Sequence, residues 1–400
     1  MKRKKILFLS QMFPYPPVSG GLIKTLNTLK ALSKRYEIHA VFITDALPPP
    51  QALTRFKSMG IHVTYFVSKQ IRASLKEKFW EVLACYLRGI PFYVYQYTHK
   101  PVFEYVLQTI ERVMPDIIHV DHLNLSQYLP KIKYQTWILE HHNVESYLYW
   151  TRLLQARKMT RVLYLLIETA LTYRYERFMI KKFDHVFAIS KPEEARIRSM
   201  FGVENVSTQP LSYTEPRIYP KSHKGKNILF VGVLDWPPNE DAIQWFVNDI
   251  LPIVVQKIPE VHFHLVGRLG PRYVPKSTDH VTVHGFQKYL TQFLSEADVF
   301  VLPFRMGGGL RLKALTALSS GVPVVTTPLG VEGLEVTSGI ECLIAKTSES
   351  FAHAVVRILE DDFLRKKLRQ HAIRYMRDAH GEKNNGQFLS MYRMVTQRYG

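Results

Sequence analysis

Short apolar runs alternate with helical patterns in two successive series, and that rhythm limits the fold more than any other feature of the chain. Lys5–Ser10, Ile38–Thr44, Val63–Val67, Ile117–Val120, Thr136–Glu140 and His185–Ile189 read as strands. Helical patterns such as Leu22–Ser33 and Tyr164–Lys181 lie between several of them. The series restarts with Asn227–Val233, His262–Val266, Thr282–His284, Val299–Leu302 and Val322–Thr326, interleaved with helical patterns at Asp241–Val255, Leu290–Ala297 and Leu310–Ser319. Apolar strands alternating with helices describe parallel sheets covered on both faces. The expected fold class is α/β, with two doubly wound domains. Pro210, Pro216 and Pro220 among polar residues place the linker near 210–225. The expected domains are 1–210 and 226–380. In 381–400, a last helical stretch, Phe388–Arg398, is expected to pack back on the first domain.

Composition then narrows the partners. Of the 400 residues, 46% are apolar and 12% aromatic, which excludes wholesale disorder, collagen and low complexity. Cys85 and Cys342 are the only cysteines, too few for a disulfide framework or a cysteine zinc site. The 53 Lys and Arg against 34 Asp and Glu give a net charge of +19, which favours an anionic partner: nucleic acid, membrane surface or a phosphorylated small molecule. The basic start at Met1–Lys5 is followed by only four apolar residues, Ile6–Leu9, whereas a secretion signal needs roughly 7–15. No apolar run approaches the ~20 residues of a bilayer span. The expected location is cytoplasmic, with any membrane contact peripheral on the inner face of the cell membrane.

Ligands of such sheets sit at the carboxyl ends of strands, and two facing domains offer the cleft between them. The loops after the strands are therefore the candidates. Gly20 and Gly21 open a helix after the first strand, where bare N–H groups and the helix dipole favour an anion. A flexible connection explains the same pair equally well. After the fourth strand, alternation puts His119 and Asp121 on one face and His122 at the strand end. These are acid–base or hydroxyl-binding candidates, though a satisfied buried histidine is the commoner case. Glu140–Glu145 repeats the pattern with His141, Asn143 and Glu145. A metal site on clustered histidines is one further reading, but no HExxH spacing and no Asp-x-Asp pair supports it. In the second series, the loop with Asp235, Trp236 and Asn239 follows the first strand and Arg268 follows the next. The richest stretch runs from Leu302 to Lys313. Gly307, Gly308 and Gly309 precede a helix, and Arg305, Arg311 and Lys313 add positive charge, which together suit a diphosphate.

These motifs together resemble the GT-B glycosyltransferases of the large retaining group called family 4. The resemblance rests on PYPPVSGG at 14–21, DIIHVDH at 116–122, EHHNVES at 140–146, FVGVLDWPPNEDAIQWF at 230–246, and the segment from GFQ at 285 to GVEGL ending at 334. It implies two Rossmann-like domains facing across a cleft, with a nucleotide-sugar donor on the C-terminal one and the acceptor mainly on the N-terminal one. It further implies retention of anomeric configuration, no catalytic metal and no cofactor. UDP is the expected nucleotide, with GDP as the alternative. The acceptor is a glycan or lipid-linked glycan of a cell-surface polysaccharide pathway. By resemblance, Gly20 and Gly21 approach the donor diphosphate, Arg311 and Lys313 neutralise it, and Asp235 to Asn239 border the donor. The family's catalytic-region histidine falls on Asp121 by spacing, with His122 beside it, so the role lies with one of the two. Two glutamates of many relatives are replaced by Gly308 and Thr316. The usual Arg and Lys after the first strand of the second domain are replaced by Val233 and Asn239. Thr316 keeps a hydrogen bond for the ribose but no charge, which feeds an alternative: a weak or inactive GT-B protein acting as a binding or scaffold partner.

Residues 69–88 carry a second motif. Ile71, Leu75, Phe79, Val82 and Tyr86 make an apolar helix face flanked by Lys69, Arg72, Lys76 and Lys78. Such a face ordinarily packs in the core, and alternatively lies on anionic lipid. Tyr147–Lys182 is similarly basic and aromatic. No RNA- or DNA-binding motif is recognisable, so nucleic acid is not an expected partner.

Overall fold

The structure is a computed structural model that describes residues 3–15, 20–44, 46–68, 79–131, 135–154, 156–213, 225–270, 273–287, 289–306 and 312–399. The chain divides into two compact units, Met1–Leu211 with Asn385–Gly400, and Ser212–Asn384.

The first unit is built on seven strands: β1 Lys5–Ser10, β2 Glu37–Thr44, β3 Ile61–Val67, β4 Ile117–Asp121, β5 Thr136–His141, β6 His185–Ala188 and β7 Val206–Thr208. Their order is β3-β2-β1-β4-β5-β6-β7, and every pairing is parallel. The helices of this unit are α1 Gly20–Ser33, α2 Pro50–Ser58, α3 Phe79–Leu87, α4 Phe92–Tyr95, α5 Lys100–Val113, α6 Glu145–Leu154, α7 Met159–Met179 and α8 Lys191–Phe201. Alternation along the strands feeds two cores. Leu7, Leu9, Val41, Ile118, Val120 and Leu139 face one layer of helices, and Ile6, Phe8, Ile38, Phe42, Ile117 and Ile138 face the other. Phe388 and Tyr392 of the last helix join the second core. Each is a large buried side chain contributing about 2–3 kcal/mol.

The second unit has β8 Asn227–Val231, β9 His262–Val266, β10 Val281–Gly285, β11 Val299–Leu302, β12 Val324–Thr326 and β13 Leu343–Ile344, in the order β10-β9-β8-β11-β12-β13. Its helices are α9 Pro237–Trp245, α10 Leu251–Lys257, α11 Thr291–Glu296, α12 Leu312–Ser320, α13 Ser348–Glu360 and α14 Asp362–His380; α15, Lys383–Arg398, leads into the first unit. Both sheets are doubly wound as expected. In each, the first strand lies between the second and the fourth, so the chain reverses direction there. The crevice outside the strand ends at that switch is where such folds bind ligands.

Departures from expectation have local causes. The single helix expected over Asp241–Val255 is broken by a π-helical segment, Phe246–Ile250, because Pro252 lacks an N–H and crowds the preceding turn. The strand expected from Val322 begins at Val324, since Pro323 cannot donate to the ladder. Of the amphipathic stretch 69–88, residues 69–78, with Ile71, Leu75 and the flanking lysines, lie outside the described residues. In α3 only Cys85 is buried, while Phe79, Trp80, Leu83 and Leu87 are exposed. Phe79 therefore does not have the core position that the ordinary reading of this helix gives it. Among the described residues no helix is long and apolar enough to cross a membrane.

Candidate active site

In the first unit the switch point lies between β1 and β4, whose last residues, Ser10 and Asp121, are register partners. Asp121 is fully buried. The Ser10 and Thr25 hydroxyls donate to its Oδ2 at 2.7 and 2.8 Å, and His142 Nε2 lies 2.5 Å from its Oδ1. Burial alone would raise this carboxyl; the His122 and His142 imidazoles and their hydrogen bonds outweigh it and hold the group well below the usual carboxylate range. Burial, with His122 and Lys24 nearby, pushes His142 down to about 4. His142 is thus neutral at neutral pH and donates Nε2–H to an ionised Asp121.

His122 stacks on His142 with ring centroids 3.8 Å apart, and its Nδ1 lies 2.5 Å from the Asp121 carbonyl. Its φ of 96° and ψ of 128° belong to a region that glycine tolerates and other residues rarely adopt. The backbone turns the imidazole back over Asp121 at that cost. Of the three side chains His122 is the most accessible, at 11% against 6% for His142 and 0% for Asp121.

A second buried layer sits beneath. Lys24 of α1 and Glu140 of β5 form an ion pair with 1% and 0% of their side chains exposed. Thr28 donates to both Glu140 oxygens at 3.2 and 3.1 Å, and His119 Nε2 lies 3.2 Å from Oε2. His119 Nδ1 in turn meets the Tyr392 hydroxyl at 3.2 Å. Burial would raise Glu140, but Lys24, with His119, brings it to about 2. Nothing in the sequence marked Lys24, one of two lysines in α1.

The acceptor-side candidates are split by strand alternation. His141 turns to the opposite face, with Nε2 3.9 Å from Glu176 Oε1, and burial first, then the neighbouring His142, pushes it down to about 3. It does not reach Asp121; the adjacent His142, which the sequence reading passed over, does. Glu145 starts α6 and its N–H donates to Glu176 at 2.7 Å. Burial raises the Glu145 carboxyl and pushes Glu176 up to about 8. Asn143 is half-buried just before that helix. Gly20 and Gly21 open α1, where a Cβ on Gly21 would stand 3.3 Å from Met12 Sδ.

In the second unit the equivalent switch lies between β8 and β11. Lys313, in the first turn of α12, places Nζ 2.5 Å from Asn239 Oδ1 and 5.2 Å from the ring centroids of Phe230 and Phe304. Asn239 is itself fixed, donating Nδ2–H to the Val233 carbonyl at 2.6 Å. Gly232 makes this possible, because a Cβ there would stand 2.6 Å from Lys313 Nζ. Gly267 is similarly constrained, since its Cβ would fall 1.6 Å from the Gly232 carbonyl oxygen. Asp235 lies against Gly270, whose Cβ would meet Oδ2 at 1.5 Å. Trp236 is 37% exposed at the start of α9, and Arg268 is exposed after β9.

Arg305 is held by Asp241, with Nη2 to Oδ1 at 2.7 Å and Nε to Oδ2 at 3.2 Å, and it lies 5.0 Å over the Trp245 ring. A carboxylate thus already answers the charge that the sequence reading assigned to a diphosphate. Thr316 Oγ1 lies 2.6 Å from the Tyr213 hydroxyl. Gly307, Gly308, Gly309 and Arg311 lie outside the described residues.

Residues 225–361 match the family model of glycosyl transferases group 1. Sucrose-phosphate synthase from Thermosynechococcus elongatus has the same fold, with a TM-score of 0.73 over 99% of this chain and 100% of its own, at 18% identity. The chain has the GT-B fold, and its second unit carries a glycosyl transferases group 1 domain. HepE from Anabaena, solved in complex with UDP and glucose, gives a TM-score of 0.65 at 15% identity, covering 97% of this chain and 99% of that one. An uncharacterized 44.6 kDa protein in the cps region of Klebsiella pneumoniae is 21% identical over 95% of this chain and 97% of its own. The group 1 match contains Asp235, Trp236, Asn239, Arg268, Arg305, Lys313 and Thr316, whereas Asp121, His122 and His142 lie in the other unit.

Proposed function

We propose that the chain is a retaining, metal-independent glycosyltransferase of the family 4 type. It moves a sugar from a nucleoside diphosphate sugar, with UDP as the nucleotide, to a glycan or lipid-linked acceptor in cell-surface polysaccharide synthesis. The observation that carries the reading is Lys313, whose ammonium is oriented by Asn239 over Gly232 at a strand-to-helix junction inside the group 1 match. As the bond from the sugar C1 to phosphate breaks, negative charge grows on the diphosphate, and a preoriented ammonium stabilises it without further reorganisation. On the other unit, the ionised Asp121 orders His122 and His142, and His122 is the member placed to hydrogen-bond a sugar hydroxyl. The UDP of HepE and the cps region of the Klebsiella relative support the nucleotide and the pathway.

A panel of nucleotide sugars tests this by thermal midpoint and by transfer or hydrolysis. A ligand that binds only the folded form must raise the midpoint. Lys313→Ala is expected to weaken donor binding by about tenfold to hundredfold, the worth of a charge-assisted contact of about 1.5–3 kcal/mol. If no donor shifts the midpoint and Lys313→Ala changes nothing, the reading fails. Thr316, engaged by Tyr213 where many relatives carry a glutamate, favours one rival: a GT-B protein that binds a partner without turnover.

The exposed Phe79, Trp80, Leu83 and Leu87 of α3 support peripheral contact with an anionic membrane, with Arg88 beside them. Trp80→Glu with Leu87→Glu is expected to reduce flotation with vesicles rich in anionic lipid severalfold. Undiminished flotation would remove α3 from the membrane contact.

A further inference from the structure

We propose that Glu37, His39 and His62 form a binding site for a divalent transition-metal ion of the zinc type, at the edge of the first unit's sheet. Period-two alternation puts Glu37 and His39 on one face of β2, and the register sets His39 beside His62 of β3. The two imidazoles stack with centroids 4.6 Å apart and planes 15° from parallel. His39 Nε2 is 2.9 Å from Glu37 Oε1, and one ligand atom from each of the three residues lies within 4.8 Å of the others. Two imidazoles and a carboxylate are a donor set suited to such an ion, at bond lengths of about 2.0–2.2 Å.

Glu37 is half-buried, and its carboxylate accepts from His39. Lys5, the register partner of Glu37, donates its Nζ–H to the Val113 carbonyl at 3.0 Å. His62 is exposed, which gives the ion a way in. His39 and His62 also line a depression of about 260 Å³ with Thr64, Tyr105 and Arg112, which leaves room for water or an anion on the open coordination positions.

The site is separate from the candidate active site. Lys5 pairs with Glu37 and Ser10 pairs with Asp121, so the two ends of β1 hold them about 16 Å apart. An ion here ties the edge strand β3 to β2 and takes no part in transfer.

The test titrates tag-free full-length protein with Co²⁺, followed by its visible absorption, and with Zn²⁺ by calorimetry. One equivalent per chain is expected, together with a higher thermal midpoint. His39→Ala and His62→Gln should each weaken that equivalent by at least about tenfold, while His142→Gln retains it. His62 is exposed, so an unchanged metal-free midpoint in His62→Gln shows that the fold is intact. The proposal is overturned if no ion binds, if both variants bind as the parent does, or if only His142→Gln loses the ion.

Discussion

Lys24→Met is expected to destabilise the first unit by about 3–5 kcal/mol, the cost of leaving a buried carboxylate without its cation. Glu140 has no route to water; Thr28 and His119 remain as hydrogen-bond partners, with His142 Nε2 3.8 Å from Oε1, and none of the three carries a permanent charge. Thermal or urea unfolding at pH 7 reads the loss. The double variant Lys24→Met with Glu140→Met should recover most of it, because two apolar residues of similar volume need no pairing. A single variant as stable as the parent would show that the pair is not closed in solution. The pH dependence has a definite sign. Glu140 is depressed to about 2, below its unfolded value of about 4.3, so its contribution is present above about pH 4.3 and is lost as pH falls through about 2. His142 at about 4 and His141 at about 3 are also depressed. Their contributions are present above their unfolded value of about 6.5 and are lost as the pH falls through those folded values. Without Lys24, burial dominates and Glu140 protonates more readily. The gap between variant and parent should therefore narrow from pH 7 towards pH 4.

The strand ends were legible in the sequence and the network behind them was not. Period-two alternation needs only neighbours in the chain, so His119 and Asp121 could be placed on one face from DIIHVDH alone. Lys24 and Glu140 are 116 residues apart, and only the β1-β4-β5 register under α1 brings them together. EHHN shows how fine the margin is: one residue of alternation sends His141 to Glu176, and the chain past the strand end brings His142 to Asp121. Arg305 has a partner that is hidden for a related reason. A basic residue beside glycines suggests an anionic ligand, but Asp241, 64 residues earlier, supplies the anion from the protein itself. Lys313 meets an uncharged amide, Asn239, which orients its ammonium.

His122→Gly and His122→Ala are both expected to cut transfer by about 10²–10⁴-fold, the scale of a positioned acid–base or hydroxyl-binding group. Their stabilities should differ in an unusual direction. At ordinary positions alanine stabilises relative to glycine, by restricting the unfolded chain. At φ 96° and ψ 128° the native backbone penalises any Cβ, so the glycine variant should be the more stable by about 1–3 kcal/mol. Comparing these two variants removes the imidazole, its stacking on His142 and its burial from the balance, since both lack them. An alanine variant as stable as the glycine variant would mean that the loop after β4 relaxes and stores no strain. The predicted order, with transfer lost in both, would mean that the chain accepts local instability at His122 to hold one imidazole over an ionised Asp121. Asp121→Asn separates the two contributions: it keeps the backbone of His122 but removes the charge beneath it. It should lose transfer without gaining the stability that glycine gives.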